Sequence, residues 1–235
     1  MKVRIKFSKK GTMKFIGHLD IMRYFQKAIR RAGIDIAYSE GFSPHQIMSF
    51  AAPLGVGLES NGEYFDVELN SAESSEAVLN ALQQQMVDGM DILEVKELPE
   101  KVGNAMASVA AAGYTVHFRD GYEPDFDYIN EIDSFISQNQ IIVTKQTKKS
   151  EMELDIRPLI YKMQPTSDQK GIYMLVDASS SGNIKPGLVM EAFCSQHGFE
   201  LQDFSLCVTR EDTYTNNGTS EQPDFVPLGA MGVSF

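Results

Sequence analysis

Two hydrophobic periods alternate along this chain, and the same order of periods occurs twice. That rhythm limits the available folds more than any single motif. Residues 2–8, KVRIKFS, alternate polar and apolar side chains, the pattern of a strand with one face on a core. HLDIMRYFQKAIRRAG (18–33) has helical spacing, with Asp20 in its first turn, Arg30 and Arg31 in its last, and Gly33 as a stop. Short strands are expected near 35–39 and 46–51, and a clearer one at 63–70. A Ser-capped helix at 74–86 and a strand at 90–98 complete the first round. The second round reads as a strand at 113–119, a helix at 125–138 and a strand at 140–147. A strand running into a turn follows at 151–164, then a strand at 171–179, a helix at 185–198 and a strand at 204–212. The expectation is an α+β protein of two tandem ferredoxin-like (βαββαβ-type) domains, 1–100 and 113–212. Residues 101–112 would form the linker between them, and 213–235 a loosely docked or extended tail.

Composition narrows the function classes. The 235 residues are 43% hydrophobic, enough to build a core without covalent staples. Two cysteines, with no Cys-x-x-Cys, argue against a disulfide framework and a cysteine-ligated metal, and fit a reducing cytoplasm. No signal-peptide pattern opens the sequence, and no apolar run reaches the roughly 20 residues of a membrane helix. Net charge is −11, but residues 1–50 hold ten basic and three acidic side chains. A basic patch on an acidic body suits one localized anionic contact.

That patch centers on the 18–32 helix. Met22, Phe25, Ala28, Ile29 and Ala32 share an apolar arc, while Arg23, Lys27, Arg30 and Arg31 fall on a polar one with Asp20 beside Arg23. Three or four cations in one stripe match a phosphate backbone, although solubility alone also places cations there. The loop SEGFSPHQ (39–46) follows. Gly41 opens a left-handed backbone conformation and Pro44 stiffens the chain, so Phe42 and His45 can project to stack on a base or hold a small anion. Ser39 and Ser43 add hydrogen-bonding groups; alternatively, Phe42 plugs the core. His18 and Asp20 sit about 200° apart around a helix, too far to share a metal, so no metal site is expected. His18 and His45 remain the catalytic candidates. A second basic cluster, Lys145, Lys148, Lys149 and Arg157, reads as an extension of the basic surface or as a charged hairpin edge. In DIRP, Asp155 and Arg157 can pair locally.

Several motifs carry a resemblance. Phe7-Ser8, Gly11, His18-Leu19-Asp20, Arg30-Arg31-Ala32, Gly41-Phe42-Ser43-Pro44 and Ser49-Phe50-Ala51-Ala52-Pro53-Leu54 occur in the order seen in the radical-SAM-linked family of bacterial proteins. TKKSEMELDIRP further along resembles another of its elements. The chain departs from that family at Asp35 and Gln46, where proline is common. The resemblance implies a radical S-adenosylmethionine protein as partner. The chain has no Cys-x-x-x-Cys-x-x-Cys, so the iron–sulfur cluster would belong to that partner, and no cofactor is expected here. It also hints at a tRNA or rRNA substrate. The sequence thus suggests an RNA-binding adaptor. The alternatives are a metal-independent RNA-processing or RNA-modifying enzyme using His18 or His45, and a pure protein-interaction subunit.

Overall fold

The computed structural model describes residues 1–146 and 151–235. The chain is a mixed α/β protein, dominated by β-sheet with few helices. It divides into two units: residues 1–110 with 210–235, and residues 111–209.

In the first unit, β1 (Lys2–Lys9) precedes a 3-10 turn and α1 (His18–Arg31). Next come β2 (Met48–Phe50), β3 (Glu59–Glu68), α2 (Ser75–Gln83) and β4 (Ile92–Glu97). β1 lies between β4 and β3, β2 pairs with β3, and all three pairings are antiparallel. The alternation of β1 places Val3, Ile5 and Phe7 against α1, which contributes Ile21, Phe25, Ala28 and Ile29. Phe7, Phe25, Phe50 and Phe65 interlock there, with ring centroids 4.6 Å apart for Phe25–Phe65 and 4.7 Å for Phe7–Phe25. Met22 and Ala32, assigned to the apolar arc, are only half-buried. Ser74 caps α2 by accepting the Ala77 N–H at 3.0 Å, as its position before the helix predicts. The expected strand at 35–39 reduces to isolated bridges, Ile36–Leu69 and Tyr38–Gln46.

The other face of β1 is also covered. Arg4 is buried and donates Nε to Asp66 Oδ1 at 2.8 Å and Nη2 to Oδ2 at 3.0 Å, while Nη1 reaches the Leu228 carbonyl at 3.1 Å. Lys6 pairs with Asp212 at 2.8 Å, and Asp212 also accepts the Tyr64 hydroxyl at 2.7 Å. The Leu228 carbonyl and Asp212 come from the C-terminal return of the chain, so residues 213–235 are no loose tail. β10 (Leu206–Asn216) ends in the first unit, β11 (Phe225–Pro227) pairs with it, and Phe235 exchanges hydrogen bonds with Ser75. A side chain at Gly62 would meet the Asp212 Cα at 2.7 Å, so this close approach requires glycine. The stretch assigned as linker belongs largely to this unit. α3 (Ala105–Ser108) lies in it, and Lys2 Nζ bonds the Val102 and Gly103 carbonyls.

The second unit holds β5 (Ala111–Phe118), α4 (Ile132–Ile136), β6 (Ile142–Gln146), β7 (Glu151–Asp155), β8 (Ile160–Pro165), β9 (Gly171–Asp177) and α5 (Pro186–Gln196). β9 pairs antiparallel with both β5 and β8, and the first residues of β10 belong to this unit. β6 and β7 form a separate hairpin. The strand expected over 151–164 is therefore two strands. A 3-10 turn at Arg157–Leu159, with Pro158 in its first turn, divides them. α4 is shorter than the expected 125–138 helix. Asp127 takes the Asn130 N–H and amide into a local turn, which competes with helix at that end.

Asp66→Ala should cost about 3–5 kcal/mol, because it leaves the Arg4 charge buried and unpaired. Replacing both partners together, Arg4→Met with Asp66→Leu, should cost less than the single change. Urea denaturation of the two proteins checks this; equal stability of Asp66→Ala and wild type would contradict it.

Candidate functional site

The first unit carries two features that can meet a ligand, and α1 borders both. Its outer face exposes Arg23, Lys27, Arg30 and Arg31. Arg23 pairs with Asp20 at 3.1 Å, an exposed contact worth little. Arg31 leans on Gln85, with Nε 3.3 Å from Oε1 and Nη2 3.4 Å from the carbonyl. The side chains of Lys27 and Arg30 make no hydrogen bond or ion pair among the described residues, although the Arg30 carbonyl accepts the Gly33 N–H at 3.2 Å. Tyr24 fixes the helix laterally, its hydroxyl donating to the Gln85 carbonyl and accepting from the Val87 N–H.

Residues 37–47 form a narrow arm next to this helix. The Ser39 N–H donates to the His45 carbonyl at 2.8 Å, and the Ile47 N–H to the Ala37 carbonyl at 2.9 Å. Ser39 Oγ accepts the His45 N–H at 3.1 Å and stands 2.8 Å from His45 Nδ1. Gly41 takes φ of +105°, the left-handed region expected of it. Phe42 is fully exposed at the tip, and so is not a core plug; Ser43, Pro44 and His45 are exposed with it. At the base, Gln46 is buried and donates Nε2 to the Gln26 carbonyl at 3.3 Å, tying the arm to α1. Its Oε1 has no partner among the described residues.

The second feature is a small, partly open recess lined by Phe7, Lys9, His18, Ile21, Phe50, Leu54 and Glu63. The alternation that turns Phe7 toward α1 also places Lys9 on that face, and Glu63 sits opposite Phe7 in the β1–β3 register. Lys9 is 3% exposed, and its ammonium donates to the Ile16 carbonyl at 2.8 Å. Arg210 contacts both Glu63 oxygens through Nη1, at 2.9 and 3.2 Å, and the Ala52 carbonyl at 3.1 Å. His18 packs edge-on against Phe50, ring centroids 5.5 Å apart. Burial pushes the Lys9 ammonium below its usual range, opposed by the Glu63 charge and reinforced by Arg210. Burial likewise lowers His18, with Glu63 opposing and Lys9 reinforcing. The recess thus combines a desolvated amine, an imidazole disposed to be neutral and a paired carboxylate. Such groups can hold an anion or move a proton.

His18 therefore faces this recess and His45 the arm; the two candidate histidines share no contact. The recess residues Lys9, Glu63 and Arg210 escape a sequence reading because they are far apart in the chain and hydropathy marks all three as surface. The period-2 spacing of Lys9 from Phe7 was the available signal for Lys9, at the end of the strand where β1 is bulged. The second basic cluster lies in the other unit. Arg157 is turned inward, with Nε donating to the Ile136 carbonyl at 2.6 Å and Nη1 to that of Ile160 at 3.0 Å. Asp155 meets Arg157 through the backbone N–H at 3.0 Å. Lys145 is on β6; its side chain, like Lys148 and Lys149, lies outside the described residues. Among the described residues no group of three or more His, Cys, Asp or Glu stands together as metal ligands, and no helix is long and apolar enough to cross a membrane.

The chain belongs to the family described as "uncharacterized protein conserved in bacteria" (DUF2344), whose pattern matches residues 2–186. The match includes α1, the arm and the recess residues Lys9, His18 and Glu63, and ends before Arg210. No curated protein matches the chain.

His18 should titrate below its ordinary value of 6.5. The unfolded chain then takes up that proton first, so the stability contributed by neutral His18 is lost as pH falls below about 6.5. NMR of the imidazole protons against pH checks the midpoint; a midpoint above 6.5 would contradict it.

Proposed function

We propose that the first unit binds structured RNA through the outer face of α1 and the 37–47 arm, as an accessory subunit of a radical S-adenosylmethionine enzyme. The observation that carries the RNA reading is Phe42, a fully exposed aromatic ring on a hydrogen-bonded arm beside two exposed, unpaired cations. Exposed aromatic rings on rigid loops stack unpaired bases, and neighboring cations hold the backbone. Lys27 and Arg30 are the phosphate contacts. Arg23 and Arg31 join them by giving up weak surface partners. Gly41 and Pro44 set the shape of the tip, while Ser39, Ser43 and His45 supply polar contacts. The partner enzyme rests on the resemblance of residues 7–69 to the radical-SAM-linked family. The chain would work in the cytoplasm, a reading supported by its two free cysteines, Cys194 and Cys207.

The same proposal takes both units as ferredoxin-like. In support, the first unit has the strand order β4-β1-β3-β2 with helices after β1 and β3. The second has β10-β5-β9-β8 with helices after β5 and β9, the β6–β7 hairpin being an insertion. A catalytic pair of His18 and His45 has less support, since each has its own surroundings. An enzyme acting through His18 alone draws on the recess.

Binding of a tRNA or rRNA stem-loop, titrated with salt, tests the RNA reading. Lys27→Glu with Arg30→Glu should flatten the log–log salt slope by about 1.4 to 1.8, two phosphates' worth. Phe42→Ala should weaken binding by about 1–3 kcal/mol without changing that slope. No measurable RNA binding at low salt would refute the reading and favor a protein partner for this face.

A further inference from the structure

We propose that the recess beside the N-terminus of α1 binds a small organic carboxylate carried on an apolar body. It uses residues other than the cationic face, so it stands or falls independently of RNA binding. The charges lead to this class of ligand. Arg210 bonds both oxygens of Glu63, and this pair is internally neutral. Lys9 remains: its ammonium has three N–H groups, and the described residues accept one, at the Ile16 carbonyl. Gly17, the first residue of the α1 cap, supplies no side-chain hydrogen bond to the helix start. The positive end of α1 adds to the Lys9 charge; the acidic residue of its first turn, Asp20, is exposed and paired with Arg23.

The net requirement is one negative charge in a small space. The enclosed part of the recess takes about one water molecule, enough for a carboxylate oxygen to replace it. A phosphate dianion is disfavored, because a second negative charge would meet the Glu63 carboxylate on the same wall. The remaining walls, Phe7, Ile21, Phe50 and Leu54, offer no polar group to satisfy a larger polar ligand. Leu19 and Val56 lie two residues from Ile21 and Leu54 in the chain, and Phe15 three before His18; all three are exposed by 60% or more. The Gly57 N–H bonds the Lys14 carbonyl at 2.8 Å, which holds the Val56 segment against that of Phe15. An apolar body attached to the carboxylate would cover this rim.

Benzoate is the probe, with the full-length chain and His18 as the reporter. A bound carboxylate favors the charged forms of both Lys9 and His18, so saturable binding should raise the His18 midpoint. Benzamide and inorganic phosphate should leave it unchanged. Lys9→Met should weaken benzoate about tenfold or more, the loss of a charge-assisted hydrogen bond. Leu19→Glu, at an exposed rim position, should weaken it several-fold and decides the matter if Lys9→Met does not fold. Lys27→Glu with Arg30→Glu should bind benzoate normally, whatever it does to RNA. An unmoved His18 midpoint at about 10 mM benzoate, weaker than ordinary ligand affinities, would overturn the proposal. An equal response to benzamide would overturn it too, since the apolar walls alone would then account for binding.

Discussion

The buried Arg4–Asp66 pair is the contact on which the first unit depends. It joins the two central strands, β1 and β3, and its third donor holds the Leu228 carbonyl. A guanidinium suits this role because its planar fork can serve a carboxylate on one edge and a carbonyl on another without rotating. Burying the pair stabilizes the fold little in itself, since desolvation offsets much of the Coulomb gain. What it fixes is the path of the C-terminal return. With Leu228 held in place, Lys6–Asp212–Tyr64 and Arg210–Glu63 follow on the neighboring strand. The low dielectric there favors the neutral Tyr64 phenol: burial and then the Asp212 charge push its hydroxyl well above the ordinary range. Tyr64 thus stays a hydrogen-bond donor to Asp212.

The opposite face of the same sheet seats α1. The four interlocking phenylalanines fix the rotation of the helix, and that rotation determines what each end of α1 presents. The arm follows from it through Gln46, whose amide reaches the Gln26 carbonyl of the helix. The recess follows through His18, set against Phe50. One packing decision therefore positions both candidate contacts. The packing beneath both candidate surfaces has little sequence freedom.

Much of this was legible before the structure. Where apolar side chains do the burying, periodicity located α1, α2 and most strands to within a few residues. The outward direction of Arg23, Lys27, Arg30 and Arg31 followed from the same arithmetic, as did the left-handed Gly41. Legibility failed wherever burial is achieved by ion pairs. The end of the 204–212 strand and the start of the tail, REDTYTN (210–216), are polar enough to read as solvated, yet Arg210, Asp212 and Thr213 are buried by partners more than a hundred residues earlier. Lys9 and Glu63 were hidden for the same reason: hydropathy cannot show that a charge has a partner across the sheet. The division of 151–164 into β7 and β8 was missed differently, at the boundary Ile156-Arg157-Pro158. There Arg157 spends its guanidinium on backbone carbonyls instead of on solvent.

The two ends of α1 set opposite electrostatic tasks. At the N-terminal end, the helix dipole and Lys9 act together on a small desolvated volume, where one added anion meets little screening and a large local field. At the C-terminal end, the dipole is negative and already partly compensated by Arg30 and Arg31. A phosphate approaching there must be held by the side-chain cations against that dipole, in water and within reach of salt. Affinity on the outer face should therefore depend on the number of cations engaged and on stacking by Phe42, which salt does not screen. In the recess it should depend on a single charge and on excluded water. Under the two proposals, that contrast lets one helix serve a salt-sensitive surface for a polyanion and, about four turns away at most, a selective seat for a monoanion.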